Sequence, residues 1–366
     1  MATYIALFFV PIILRLLCDA LLKTTKKTYC IVCCIVLTVF AGIRGLNVGT
    51  DTKSYIYEFI AFTNNGAYAS NNEIGLKYLW TLLGFLHLGP NVFLMIASLC
   101  INAGVFYIIY KHSNNALLSS VLYIGLYYYL FSFNGLRQFM GIGILMFAFE
   151  MAYNNKFVKC AILICIAILF HRLSVIGIPF LFLCGKNKHI KLKVSLAVVI
   201  VVICALNYNT LIQYVLNNNA YYGEYYRNYS YRAGGIMSAI IYLIIFITVT
   251  AFNLLYKRYD RETLIFWTFS FICVIGGIIQ VNAFVAMRLF YLFDMFSVIA
   301  IPNSFMRSVD ETKPDNNIGK FRYSVPKSEA VKFLLTTSII FIYYYYCLSF
   351  NWHQVIPYTI GIFNSF

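Results

Sequence analysis

Apolar residues run along this chain in long unbroken stretches, and polar residues gather in the short intervals between them. The stretches fall at roughly 4–22, 28–46, 91–110, 115–133, 138–154, 157–170, 172–185, 194–208, 235–256, 263–282, 284–304 and 331–350. At about 20 residues per spanning helix they account for about 240 residues. The pattern predicts an all-α polytopic integral membrane protein with about twelve transmembrane helices, within a range of about 10–13. A closed barrel is excluded, because its strands alternate apolar and polar positions over about 10 residues. The segment GLKYLWTLLGFLHL, 75–88, is apolar but too short to span, and Gly89-Pro90 bounds it; it is expected to be re-entrant or interfacial. The first stretch lacks a basic leader and a small-residue cleavage site, so it reads as a retained span rather than a signal peptide. The longest polar interval, 306–332, is too short for a core of its own. The expected organisation is one transmembrane domain over 1–366, with outward-facing loops at 45–90 and 207–234 and a cytoplasmic loop at 306–332.

Composition agrees: 61% of residues are hydrophobic and 11% charged, against about 25% charged in soluble domains. The net charge of +15 would suggest nucleic acid in a soluble protein, but here it reports topology, and no nucleic-acid partner is expected. One set of alternate loops holds 19 of the 28 basic residues, mostly lysine; the other holds 8, of which six are arginine; Arg15 lies within the first stretch. The positive-inside rule makes the lysine-rich side cytoplasmic and turns both termini outward. The eleven cysteines all lie in apolar runs without paired histidine, and they read as small hydrophobes rather than metal ligands.

The difference between lysine and arginine points to chemistry. Lysine is a solvated point charge, whereas the planar guanidinium grips phosphate or carboxylate through two parallel hydrogen bonds. The outer arginines also stand beside amides, hydroxyls and carboxylates. GIRGLNVGTDTKSY carries Arg44 and Asp51; FNGLRQF carries Asn134, Arg137 and Gln138; LFHRLS carries His171 and Arg172; NNNAYYGEYYRNYSYRAGG carries Arg232; and the stretch at 284–304 carries Arg288, Tyr291 and Asp294. The two runs flanking His171 reach only about 21 Å at 1.5 Å per residue, against a hydrocarbon core of about 30 Å. That turn is expected to sit below the outer surface in a hydrated recess. Each residue alone has a plainer reading: snorkelling for Arg44, a helix cap for Asp51, an interfacial histidine for His171. Their convergence favours a receptor for a multiply charged anion attached to a lipid, such as a polyprenyl diphosphate.

IRGLNVGTDTKSY, NEIGLKYLW with Glu73 and Gly75, FNGLRQFMGIGILMFAFE, AILFHRLSVIGIPF and MRLFYLFD, in that order, resemble the EpsG-like branch of the Wzy-type polysaccharide polymerases. The resemblance implies glycosyl transfer between polyprenyl-diphosphate-linked oligosaccharides at the outer face of the bacterial cytoplasmic membrane, building O-antigen, capsule or exopolysaccharide. It also brings a chain-length regulator and a flippase as companion proteins. On that reading Arg44, Asn134, Arg137, Gln138, Arg172, Arg232, Arg288 and Tyr291 bind substrate, and either His171 or Asp51 takes the acceptor proton. No D-x-D or paired acidic motif stands in the outer loops, so neither metal nor cofactor is expected. The rival readings are a flippase or transporter of lipid-linked sugars, an O-antigen ligase-type glycosyltransferase, and a purely structural membrane protein.

Overall fold

In the computed structural model the described residues are 1–22, 25–65, 73–185, 189–208, 210, 214, 236–281, 288–306 and 327–361. The helices, in chain order, are α1 (Ala2–Leu22), α2 (Lys26–Gly42), α3 (Thr52–Asn65), α4 (Ile74–Phe85), α5 (Pro90–His112), α6 (Ala116–Gly125), α7 (Tyr128–Phe131), α8 (Leu136–Tyr153) and α9 (Phe157–Phe170). A 3-10 turn, Arg172–Gly177, follows, and then α10 (Pro179–Leu183), α11 (Ile190–Leu206), α12 (Ile236–Leu255), α13 (Arg261–Gln280), α14 (Tyr291–Asp294), α15 (Ser297–Phe305) and α16 (Lys327–Ser349). Among the described residues five helices are long and apolar enough to cross a bilayer: α1, α5, α12, α13 and α16. Their outer faces carry exposed apolar side chains, such as Leu334, Leu335, Ile339 and Ile342 on α16, as expected where lipid is the solvent. The protein is an all-α, multi-pass membrane protein.

Helix starts follow local rules. Thr25 caps α2, Asn115 accepts from the Leu118 amide at the start of α6 at 2.9 Å, and Asp260 accepts from the Thr263 amide at the start of α13 at 3.0 Å. Each supplies an acceptor to an amide the helix itself cannot satisfy.

The chain divides into two compact units. The first comprises Met1–Glu150, Val158–Val175 and Met306–Phe366. In it α2 packs along α5, while α6 lies against α1 and α16. A buried pair, His112 Nε2 with Glu150 Oε2 at 2.6 Å, ties the C-terminal end of α5 to α8. The second unit comprises Met151–Phe157 and Ile176–Phe305, and packs α13 against α11, α12 and α15. There Arg261 donates to the carbonyl of Tyr153 at 2.6 Å and to that of Cys184.

Three apolar runs are not continuous helices. The run at 115–133 breaks at Tyr127, which has a left-handed φ of 71° between α6 and α7. The run at 172–185 is a 3-10 turn followed by the five-residue α10, and within the run at 284–304 the described residues form the short α14 and α15. Broken backbone at membrane depth is tolerated where protein surrounds it. Residues 116–130 are nearly all buried, and the Tyr127 hydroxyl is anchored on the Trp352 carbonyl at 3.0 Å.

That anchor belongs to the segment after α16, which underpins the loop following α2. Gly45 donates its amide to Thr359 O at 2.7 Å, Gly49 to Gln354 O at 3.0 Å, and Gly361 to Ile43 O at 3.0 Å. The His353 ring packs on Phe131, with centroids 4.2 Å apart, and burial pushes its pKa down to about 4, so it remains neutral at physiological pH.

Candidate functional site

Three helix ends meet in the first unit. Glu73 is the N-cap residue of α4, Arg137 lies in the first turn of α8, and His171 follows the last residue of α9. One carboxylate joins them: Arg137 Nη1 donates to Glu73 Oε2 at 2.9 Å, and His171 Nδ1 lies 3.3 Å from Glu73 Oε1. The position of Arg137 is electrostatically uncomfortable without that partner, because a helix N-terminus repels a cation. The same macrodipole logic favours a carboxylate at the start of α4.

Burial works against ionisation of Glu73, but the His171 hydrogen bond and the Arg137 charge outweigh it and hold its pKa below the ordinary value. A carboxylate with a lowered pKa contributes its stabilisation above the unfolded pKa, and that contribution is lost as pH falls through the folded one. The bridge is therefore intact at neutral pH. An ionised carboxylate only accepts, so Nδ1 of His171 carries the proton, and in a neutral imidazole Nε2 is then the acceptor. Nε2 is buried and has no hydrogen-bond partner among the described residues.

Two glycines let these ends approach. A Cβ on Gly75 would lie 2.8 Å from the Leu169 carbonyl oxygen, which belongs to backbone and cannot rotate away. On α8, a Cβ on Gly141 would collide with the Ser174 hydroxyl, which can. Gly75→Ala is therefore expected to lift Glu73 off His171, lower stability by about 1–3 kcal/mol and abolish activity. Gly141→Ala should be the milder of the two. Thermal unfolding of the purified protein, alongside its activity, checks both; an active, equally stable Gly75→Ala protein would show that this contact does not set the geometry.

Beside this bridge lies the loop after α2. Arg44 is fully buried. It donates to Ala41 O at 2.6 Å and to Thr52 Oγ1 at 3.0 Å, and its guanidinium lies 4.7 Å from the Phe133 ring centre. Its Nη2 has no partner among the described residues. Asp51 is half-buried just before α3 and accepts from Thr50 Oγ1 at 2.7 Å. Asn134 and Gln138 are buried, and Asn134 donates to His353 O at 3.0 Å. Arg137 also lies over the Tyr55 ring of α3, 5.8 Å from its centre.

Of the residues singled out from the sequence, the structure brings Arg137 and His171 onto one carboxylate and sets Arg172, exposed, next to the ring. Arg288 and the buried Tyr291 belong to the second unit. Arg232 lies outside the described residues. Glu73 was not among the expected site residues. It stands 64 positions from Arg137 and 98 from His171, a separation that no local pattern reveals. Among the described residues no three His, Cys, Asp or Glu side chains gather as a metal would require.

The family model described as EpsG matches residues 27–360. No curated protein and no solved structure matches the chain.

Proposed function

The chain belongs to the EpsG family, a membership that supports activity of the polysaccharide-polymerase type, and we propose that it joins polyprenyl-diphosphate-linked oligosaccharide units into a surface polysaccharide. The observation that carries the proposal is the shared carboxylate of Glu73, which sets a guanidinium fork and an imidazole with a vacant acceptor nitrogen side by side. The two halves of a glycosyl transfer need those two groups. A hydroxyl oxygen of one lipid-linked unit bonds to the anomeric carbon of the other. The bond from that carbon to the diphosphate oxygen breaks, and its electron pair leaves with the diphosphate. The hydroxyl proton passes to His171 Nε2. Arg137 and Arg172 stabilise the charge developing on the leaving group, as preorganised donors do in a site shielded from water. With arginines in that role the step needs neither metal nor cofactor. Arg44 is assigned to positioning, since its Nε and one terminal nitrogen already hold the loop between α2 and α3. Asn134, Gln138, Arg232, Arg288 and Tyr291 remain proposed substrate contacts.

Glycans from a deletion strain, resolved by size, test the reading. Single repeat units on the lipid carrier are expected. A block before any unit reaches the outer face would indicate a flippase, and full-length polymer on the carrier that fails only to reach its final acceptor would indicate a ligase.

The proposal places the site at the outer face of the bacterial cytoplasmic membrane. In a cysteine-free background, Asn218→Cys should react with an impermeant reagent applied from outside and Asn317→Cys should not. The reverse pattern would overturn the orientation and the companion proteins that go with it.

A further inference from the structure

The bridge that builds the site also occupies it. One terminal nitrogen of Arg137 is engaged by Glu73 Oε2 at 2.9 Å, while the His171 contact to the other oxygen is longer, at 3.3 Å. The second distance is long for an N–H···O bond. Glu73 gives the Arg137 guanidinium a single oxygen, whereas a diphosphate offers paired oxygens and more charge, so it competes for that group with the better-matched geometry.

We propose that Glu73 is the positioning residue of this site and changes hands when substrate arrives. The diphosphate takes Arg137, and the carboxylate is left to His171 alone. This rests on the polymerase reading given above. The released carboxylate shortens its contact with Nδ1, fixes the ring with Nε2 towards the acceptor hydroxyl, and balances the imidazolium that forms when the proton is taken. Catalytic hydrogen bonds that are long in an empty site and tighten in the substrate complex are a known pattern. Two further features fit the exchange. Arg137 is the most exposed of the three groups, at 29% of its side chain against 15% for His171 and 11% for Glu73, so it is the one an anion meets first. Nε2 of His171 is buried with no hydrogen-bond partner among the described residues, and the acceptor hydroxyl supplies one. The base is thus fully supported only when the leaving group is in place.

The test measures inorganic pyrophosphate binding to the full-length protein in detergent by titration calorimetry, alongside polymerisation of lipid-linked units. Glu73→Gln removes the competing charge, so pyrophosphate should bind at least about fivefold more tightly while turnover falls about 100-fold. A carboxylate with a merely architectural role would give the opposite sign for binding, since a damaged site holds its ligand less well. Unchanged or weaker pyrophosphate binding by Glu73→Gln, beside a wild-type protein that binds and polymerises, overturns the exchange and leaves the polymerase reading standing. A wild-type protein that neither binds pyrophosphate nor polymerises overturns both. Should Glu73→Gln fail to accumulate, Glu73→Asp keeps the charge but withdraws it by one methylene. It should show the same pairing of tighter binding and slower turnover, and its absence there refutes the exchange.

Discussion

Arg137→Lys should lose most polymer while the protein still inserts and accumulates. Lysine keeps the positive charge, so the attraction to Glu73 survives and the helix ends stay together. It cannot reproduce the rest of the geometry. The guanidinium gives one nitrogen to Glu73 at 2.9 Å and lies 5.8 Å from the Tyr55 ring centre, and the proposed diphosphate contact uses two parallel donors from one plane. An ammonium offers a point charge with no fixed fork. Losing one preorganised donor to a developing oxyanion costs about 10²–10³ in rate, and that is the expected loss for Arg137→Lys. Arg172→Lys should fall in the same direction by a smaller factor, because Arg172 is exposed and its geometry is less constrained. Polymer length and membrane protein level measured on the same samples check both variants. Normal polymer from both would reduce the arginines to generic electrostatics.

The contrast between Arg137 and Arg44 shows where reading a sequence stops. Both are arginines at the end of an apolar run, both stand among glycine and amide residues, and the pattern makes ligands of both. Yet Arg44 turns inward, onto Phe133 and the carbonyl of Ala41, whereas Arg137 keeps 29% of its side chain exposed. Hydropathy establishes that an arginine lies at a helix end; the neighbouring helix decides which way it points. The same limit explains the broken helices. Tyr127 sits in a run as apolar as any other, and at its left-handed break the side chain is held by Trp352 and His353, more than 200 residues away. Local pattern does carry information where function collects polar groups in small spaces. FNGLRQF and LFHRLS stand out because an apolar environment tolerates an ionisable residue only with a partner, and those two segments prove to share one. The partner itself, Glu73, is marked in the sequence only as part of NEIGLKYLW, and beside a polar interval nothing local gives its carboxylate a role in the site. Gly75, two residues on in the same motif, leaves room for the Leu169 carbonyl, which a Cβ would meet at 2.8 Å.

His171→Gln is expected to reduce turnover on purified lipid-linked units about 10²–10⁴-fold, and Asp51→Asn to be much milder. Two carboxylate or imidazole groups near arginine can accept a proton, so the choice between them depends on geometry. Asp51 lies on a loop, half-buried, with one oxygen already accepting from Thr50 at 2.7 Å, and Asn preserves that bond. His171 stands at a helix end, its Nδ1 facing Glu73 and its Nε2 without a partner among the described residues. A proton acceptor must be held in fixed orientation with a vacant lone pair, and His171 meets both conditions. Glutamine retains a donor for Glu73, so the bridge and the fold survive, but its amide cannot take up a proton at neutral pH. The loss should therefore fall on kcat, with KM little changed, because the diphosphate contact proposed for Arg137 is untouched. If Asp51→Asn is the inactive variant and His171→Gln retains activity, the carboxylate is the base and the imidazole only frames the site. Full activity in both would eliminate both, leaving the arginine-stabilised departure of the diphosphate to proceed with proton loss to water.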